Sequence, residues 1–238
     1  LVGLGDVYKR QFNSRHYVTG MVLFQRDLRE MASGDIPYNM VGLSARGTYA
    51  FDSRYLAEVN IGYNGKEQFA PSNRFGFFPA FSLGWVISNE SFMDNLRNNG
   101  IISNLKLRAS VGKVGNDGLG STRFLYLDNI DLQYHTSHIP SLGNGGKIYE
   151  RMVGNKNIHW EVAWKQNYAV DLTLFDDLDL TFDYFIEDRS DILIERNTVP
   201  AISGLTSSQL PRVNMGEIKN KGYEITLDYN TDITRDLN

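Results

Sequence analysis

The sequence contains no cysteine among its 238 residues, which excludes both a disulfide framework and a thiolate metal site. It also lacks any run of about 18 apolar residues, the length that a membrane-spanning helix needs. Basic residues are scattered singly and the net charge is -4. The chain therefore has no basic patch of the kind that binds nucleic acid.

Aromatic residues and glycine are abundant instead, with 13 Tyr, 13 Phe and 22 Gly against 6 Pro. This balance favours β structure. The mean hydropathy of -0.33 is typical of a soluble protein. However, a membrane β-barrel hides its apolar face in an alternating pattern, so hydropathy does not decide between the two.

The clearest alternation is "VGLSARGTYAFDSRYLAEVNIGYNG", residues 41–65, which predicts a β-hairpin around the polar turn 52–54. The same pattern predicts strands within 105–111, a second hairpin over 167–188, and a strand over 222–230. Weaker alternation at 16–25 and 76–88 completes a prediction of eight strands.

The connections between these strands sort by length. Tight turns at 52–54, 176–177 and 231–236 fall on one end, and long connections at 26–38, 65–75, 114–161 and 195–216 fall on the other. The segment 89–103 lies on the short-turn side, where "SFMDNLR" predicts a helical turn. This sorting indicates an all-β, antiparallel transmembrane β-barrel segment. The alternative is a soluble all-β adhesin or sandwich.

In a barrel, alternation assigns each residue a side. The polar phase predicts a lumen-facing set: Arg46, Glu58, Lys106, Arg108, Asp171, Asp179, Asp183, Glu224 and Asp228. The apolar phase is bracketed by rings that we expect at the lipid interface: Tyr49, Phe51, Tyr55, Tyr63, Trp85, Phe182, Tyr184 and Tyr229.

No chemical motif competes with this interpretation. "GKVGNDGLG" at 112–120 places its lysine first and has no helix after it, so it does not match a phosphate-binding loop. His135 and His138 lack a third metal ligand, and the inward carboxylates are spread over several strands, unlike a glycosidase pair. We therefore expect no enzymatic activity, no metal site and no cofactor.

The long connection 114–161 carries four rings that are candidates for ligand contacts, because sugar or peptide recognition uses aromatic faces on loops. They are Phe124, Tyr126, Tyr134 and Tyr149. Packing of the loop onto itself or onto a partner explains them equally well.

Residues 1–11, "LVGLGDVYKRQ", have no periodicity that connects to the rest and look like a read-through or cloning segment. We expect 12–238 to be part of a barrel domain and an internal piece of a longer protein.

Several stretches also resemble a known family. "FGFFPAFSLGWVISNESFM", "ISNLKLRASVGKVGND", "GNKNIHWEVAWKQNYAVDLTLFDDLDLTFDYFIEDRSDIL" and "NMGEIKNKGYEITLDYN" together look like the barrel of SusC/RagA TonB-linked outer-membrane transporters. The resemblance implies a plugged barrel of about 22 strands, located in the outer membrane of a Gram-negative bacterium.

The same resemblance implies a SusD-like lipoprotein lid, TonB as the energy source, and import of oligosaccharides or peptides. The plug, the TonB box and the signal peptide would lie outside this sequence. The alternatives are a passive outer-membrane pore and a β-rich surface adhesin.

Overall fold

The computed structural model describes residues 2–30, 36–118, 123–134, 147–196, 204, 206 and 209–230. The segments in which apolar and polar residues alternate form long β-strands within these ranges. They are β1 (Val2–Phe12), β2 (His16–Arg29), β3 (Tyr38–Phe51), β4 (Tyr55–Lys66), β5 (Phe75–Val86), β6 (Ile102–Asn116), β7 (Asn129–Tyr134), β8 (Lys147–Met152), β9 (Glu161–Leu174), β10 (Leu178–Ile194) and β11 (Val213–Tyr229).

Nine of these strands form one antiparallel sheet in the order β1-β2-β3-β4-β5-β6-β9-β10-β11. Every sheet neighbour is therefore also the next strand of the sheet along the chain, which is the meander that barrels are built from. The strands β7 and β8 form a separate hairpin between β6 and β9. The predicted all-β antiparallel fold is confirmed, and the described sheet is open, with β1 and β11 as its edges.

Three hairpins have three-residue connections, 13–15, 52–54 and 175–177, and the first two residues of each lie in the left-handed region. Asn13 and Ser14 have φ of 48° and 56°, Asp52 and Ser53 of 52° and 53°, and Phe175 and Asp176 of 56° and 61°. Turns with two residues of positive φ match the right-handed twist of the flanking strands. All three lie at one end of the sheet, named here the turn end; the predicted turn at 231–236 lies outside the described residues.

The opposite, loop end carries the connections 30–37, 67–74, 117–160 and 195–212. One longer connection, 87–101, lies at the turn end. It holds two 3-10 turns, Ile87–Asn89 and Ser91–Met93, followed by helix α1 (Asp94–Asn98), so the predicted helical turn is present. None of the helices in the described ranges is long and apolar enough to cross a membrane.

The prediction of eight strands is wrong by one in the main sheet. The additional strand is β1, which the alternation did not reveal and which pairs with β2 from Val2↔Arg26 to Phe12↔His16. Strand pairing uses backbone groups, so it does not require alternating side chains. By this register Asp6 and Arg10 share a face with the apolar Val22 and Val18 of β2.

Candidate functional site: the polar wall and the loop end

The cross-strand register sorts the side chains onto two faces. In β9 and β10, Asp171 lies opposite Thr181 while Leu172 lies opposite Leu180. We call the two faces polar and apolar after the side chains they carry. The polar face holds all nine residues predicted to face a lumen: Arg46, Glu58, Lys106, Arg108, Asp171, Asp179, Asp183, Glu224 and Asp228. The other, apolar face holds all eight predicted interface rings.

Charges on the polar face pair across strands. Arg108 binds Asp171 through two bonds, from Nε to Oδ2 at 2.7 Å and from Nη2 to Oδ1 at 2.8 Å. Its Nη2 also lies 3.8 Å from Asp183 Oδ1. This two-pronged geometry is the strong form of an arginine–carboxylate pair. One arginine therefore ties β6, β9 and β10 together.

A second pair joins β3 to β4. Arg46 Nη2 donates to Glu58 Oε2 at 2.5 Å, and Asn60 Nδ2 donates to the other carboxylate oxygen at 2.7 Å. Asp179 accepts a hydrogen bond from Thr173 Oγ1 at 2.6 Å. Mutual pairing therefore accounts for much of the polar wall.

Four of the predicted lumen-facing residues differ. Among the described residues, Lys106, Asp179, Glu224 and Asp228 make no ion pair within 4.0 Å. Lys106 borders a groove of about 500 Å³ on the polar face, where Ser82 and Gly84 leave little side-chain volume on β5. The polar face thus carries both charges that are neutralised in ion pairs and charges that are not.

Rings on the apolar face form two belts. At the turn end the belt crosses β2 to β5: His16 and Phe51 have ring centroids 4.9 Å apart, and Phe51–Tyr55 and Tyr55–Trp85 stack at 6.3 Å and 6.4 Å. At the loop end Tyr63 stacks on Phe75 at 5.1 Å.

The separation of the belts is set by strand length. Tyr55 and Tyr63 lie in the same strand, about 26 Å apart at the usual rise per residue. Strands in outer-membrane barrels tilt by about 40°, which would project this to roughly 20 Å, compared with an apolar band of about 25 Å.

The loop end has a hydrophobic core of its own. It consists of the buried residues Phe69, Leu125, Ile158 and Trp160, with Phe78, Met152 and Leu193 packed against them. It draws on two loop-end connections, 67–74 and 117–160, and on β5 and β10, so the long connection 117–160 is folded onto the sheet. This loop-end core was not foreseen from the sequence.

Phe78 enters this core because β5 places it on the polar face, opposite to Phe75 and Phe77. Its ring meets Trp160 edge-on, with centroids 5.4 Å apart. It lies across Gly76 and Gly115, where a Cβ would collide with the ring. The segment "NIHWE", residues 157–161, leads directly into β9, and its Trp160 side chain packs in the loop-end core.

The four loop rings that were candidates for ligand contacts have different outcomes. Phe124 and Tyr126 meet edge-on at 6.3 Å, and the Arg123 guanidinium lies 4.8 Å from the Phe124 ring. Tyr134 and Tyr149 fall in β7 and β8, but their side chains lie outside the described part of the chain. Nothing in these contacts tests a ligand role.

Glu90, in the connection 87–101, is a site residue that sequence reasoning missed. Its carboxylate accepts hydrogen bonds from Tyr55 Oη at 2.7 Å, Trp85 Nε1 at 3.1 Å and Arg54 Nη1 at 3.1 Å. The Tyr55 hydroxyl, followed by the Trp85 N–H, holds the pKa of Glu90 below its ordinary value of 4.5. Glu90 thereby fastens this connection to the turn-end belt, and no local pattern signals it.

The histidines do not form a metal site in the described part of the chain. His159 Nε2 lies 3.6 Å from Asp191 Oδ1, and His135 and His138 lie outside the described residues. Where the chain is described, no group of three or more His, Asp or Glu side chains is arranged to hold an ion.

The sequence matches the family described as TonB dependent receptor-like, beta-barrel, over residues 3–238. The chain belongs to this family.

Named relatives agree with this assignment. TonB-dependent receptor P39 of Formosa agariphila is 29% identical over 250 residues, covering 92% of this chain and 23% of P39. TonB-dependent receptor SusC of Bacteroides thetaiotaomicron is 26% identical over 211 residues, covering 88% of this chain and 20% of SusC. The chain thus spans about a fifth to a quarter of the length of these relatives.

Solved structures show the same fold. The RagAB peptide importer in its closed-closed state aligns with a TM-score of 0.79 at 18% identity, covering 98% of this chain and 28% of the RagAB chain. The open sheet therefore has the fold of part of a TonB-dependent receptor barrel.

Proposed function

We propose that the complete protein is an energised outer-membrane importer of oligosaccharides or peptides that works with a SusD-like surface lipoprotein. The observation that carries the proposal is a barrel wall with opposite faces. The apolar face has two ring belts, and the polar face carries arginine–carboxylate pairs. A transport wall needs both faces, because one meets lipid and the other meets plug, water or cargo.

The relatives support an importer. One is the TonB-dependent receptor SusC, and the RagAB structure is named a peptide importer. Energy coupling through TonB follows from the family, since a plugged wide barrel conducts little until the plug moves. The turn end would face the periplasm and the loop-end core would face outward, since outer-membrane barrels have short periplasmic turns.

A catalytic role is not part of this proposal. A glycosidase needs one carboxylate free as acid and another as base or nucleophile at a defined separation. Asp171 is instead held by Arg108 through two hydrogen bonds, and Asp183 lies beside the same arginine.

We also propose that residues 1–11 do not belong to the native wall and that the barrel part starts at residue 12. In the register of β1, Asp6 and Arg10 lie on the apolar face, where charge in lipid costs energy. Reading the full-length gene upstream of residue 12 tests this. A native strand there should carry apolar residues at the corresponding positions.

The deciding experiment is uptake of a labelled oligosaccharide or peptide by cells that carry the full-length gene, with and without a working TonB system. We expect uptake only when TonB works. Uptake that persists without TonB, or high single-channel conductance in a planar bilayer, would favour a passive pore. Surface binding without any uptake would favour an adhesin.

A further inference from the structure

A basin of about 710 Å³ opens on the apolar face of the sheet. Its floor is a row of small and medium side chains across three strands, in which Ala57 lies opposite Leu83 and Leu83 opposite Ala109. The outside of a barrel is convex, so this concavity comes from side-chain size alone. The two methyl groups lie among aliphatic side chains and rings that extend further from the sheet.

Rings enclose the floor on three sides. Tyr49 borders it on β3, a ridge of two rings borders it toward the turn end, and three rings border it on β9 and β10. The ridge is formed by Tyr55 and Trp85, and the far border by Tyr168, Phe182 and Tyr184.

The polar atoms of the turn-end ridge are already bonded within the chain. The Tyr55 hydroxyl and the Trp85 indole N–H both donate to Glu90 Oε1, at 2.7 Å and 3.1 Å. Glu90 lies in the connection beyond the strand ends, so both polar atoms point away from the floor. What the ridge offers to the basin is ring surface.

The polar atoms of the rings at the sides of the basin are also hydrogen-bonded within the chain. Tyr49 Oη and His16 Nδ1 are 2.8 Å apart and share a hydrogen bond. Tyr168 Oη donates to Gln166 Oε1 at 3.1 Å. Arg108 also borders the basin, but its guanidinium binds Asp171 on the polar face. An occupant would therefore meet almost no hydrogen-bonding group.

We propose that this basin binds an acyl chain of a membrane phospholipid. The proposal rests on the outer-membrane location proposed above. The basin is continuous with the apolar band between the two ring belts, where hydrocarbon is the surrounding solvent. A flexible chain fits a methyl floor with ring walls and needs no polar partner. A polar ligand would leave its own hydrogen bonds unmade.

The test uses the full-length transporter in vesicles that contain a phospholipid with a photoreactive group in its acyl chain. Adducts are mapped by peptide mass spectrometry. We expect adducts to concentrate in the basin strands, at residues 55–57, 83–85 and 107–109. The equally apolar stretch 225–227 should carry far fewer.

Two variants fill the floor, Ala57→Phe and Ala109→Phe. Each fills the space that about one or two methylene groups of the bound chain would occupy, so packing of the chain against the floor is lost and we expect a loss of basin adducts. The matched control is Ala45→Phe on β3, an apolar-face alanine outside the basin, which should leave the adducts unchanged. Heat-modifiable migration in gels confirms that each variant is folded.

Adducts spread evenly along the apolar face would overturn the basin while leaving the membrane location intact. Cross-links to a second copy of the chain in place of lipid adducts would overturn the lipid occupant. Adducts on neither face would overturn both the basin and the membrane location. TonB-dependent uptake is measured separately on the unmodified protein, so a failure of the importer proposal is distinguishable from a failure at the basin.

Discussion

Replacing Phe81 by arginine puts a charge in the middle of the apolar face, because Phe81 lies opposite Val59, halfway between Tyr55 and Tyr63 of β4. On its other side Phe81 lies opposite Val111 of β6, so an arginine there has no polar neighbour at its own level. An arginine facing lipid near the bilayer midplane costs about 2–4 kcal/mol. That cost is a roughly 30- to 700-fold drop in the folding equilibrium constant.

The control is the adjacent position on the opposite face. Ser82→Arg places the same charge at nearly the same depth, next to Glu58, which lies directly across the strand pair. It gains an opposite charge on the polar face, so we expect a change below about 1 kcal/mol. Equilibrium unfolding of the full-length protein in lipid vesicles with urea measures both.

Equal costs for Phe81→Arg and Ser82→Arg would refute the assignment of the apolar face to lipid. Asp171 is an unsuitable control, although alternation alone marks it as an inward position that tolerates arginine. It holds Arg108 through two hydrogen bonds. Losing a charged pair that is partly exposed is expected to cost about 1–2 kcal/mol.

Three further predictions concern the turn end, the loop end and the sheet edges. Because the pKa of Glu90 is lowered in the folded state, its hydrogen bonds stabilise the fold above pH 4.5 and are lost as the pH falls below that value. Glu90→Gln should therefore make the free energy of unfolding in urea less dependent on acid pH. An unchanged pH dependence would contradict this prediction. Trp160→Ala removes a ring that is 9% exposed and should destabilise the loop-end core by roughly 3–5 kcal/mol, so that proteases cut the connection 117–160 faster. Trp164→Ala removes a ring that is 46% exposed and should leave the rate of cutting unchanged. The isolated chain has two open edges, β1 and β11, and should aggregate without detergent because unpaired edge strands recruit other chains; a monodisperse monomer in size-exclusion chromatography would count against a membrane wall.

Alternation and turn chemistry were enough to predict which way the strands run and which face each side chain takes. Both depend on the chain's own local geometry: successive side chains in a strand point to opposite faces, and polar residues such as Asp52 and Ser53 accommodate tight turns. Arg46 and Glu58, for example, were assigned to the polar face from their phase alone, and the register places them there.

Only the tertiary structure decided what each of these side chains contacts. Arg108 takes Asp171 as its partner because the register joins β6 to β9, 63 positions away in the chain. The core around Trp160 and the bonds that hold Glu90 likewise join segments far apart in sequence. Strand β1 pairs although its side chains do not alternate. Period-2 geometry is local and readable in one strand, whereas register and loop packing depend on the energies of pairing between strands, which no single stretch of sequence contains.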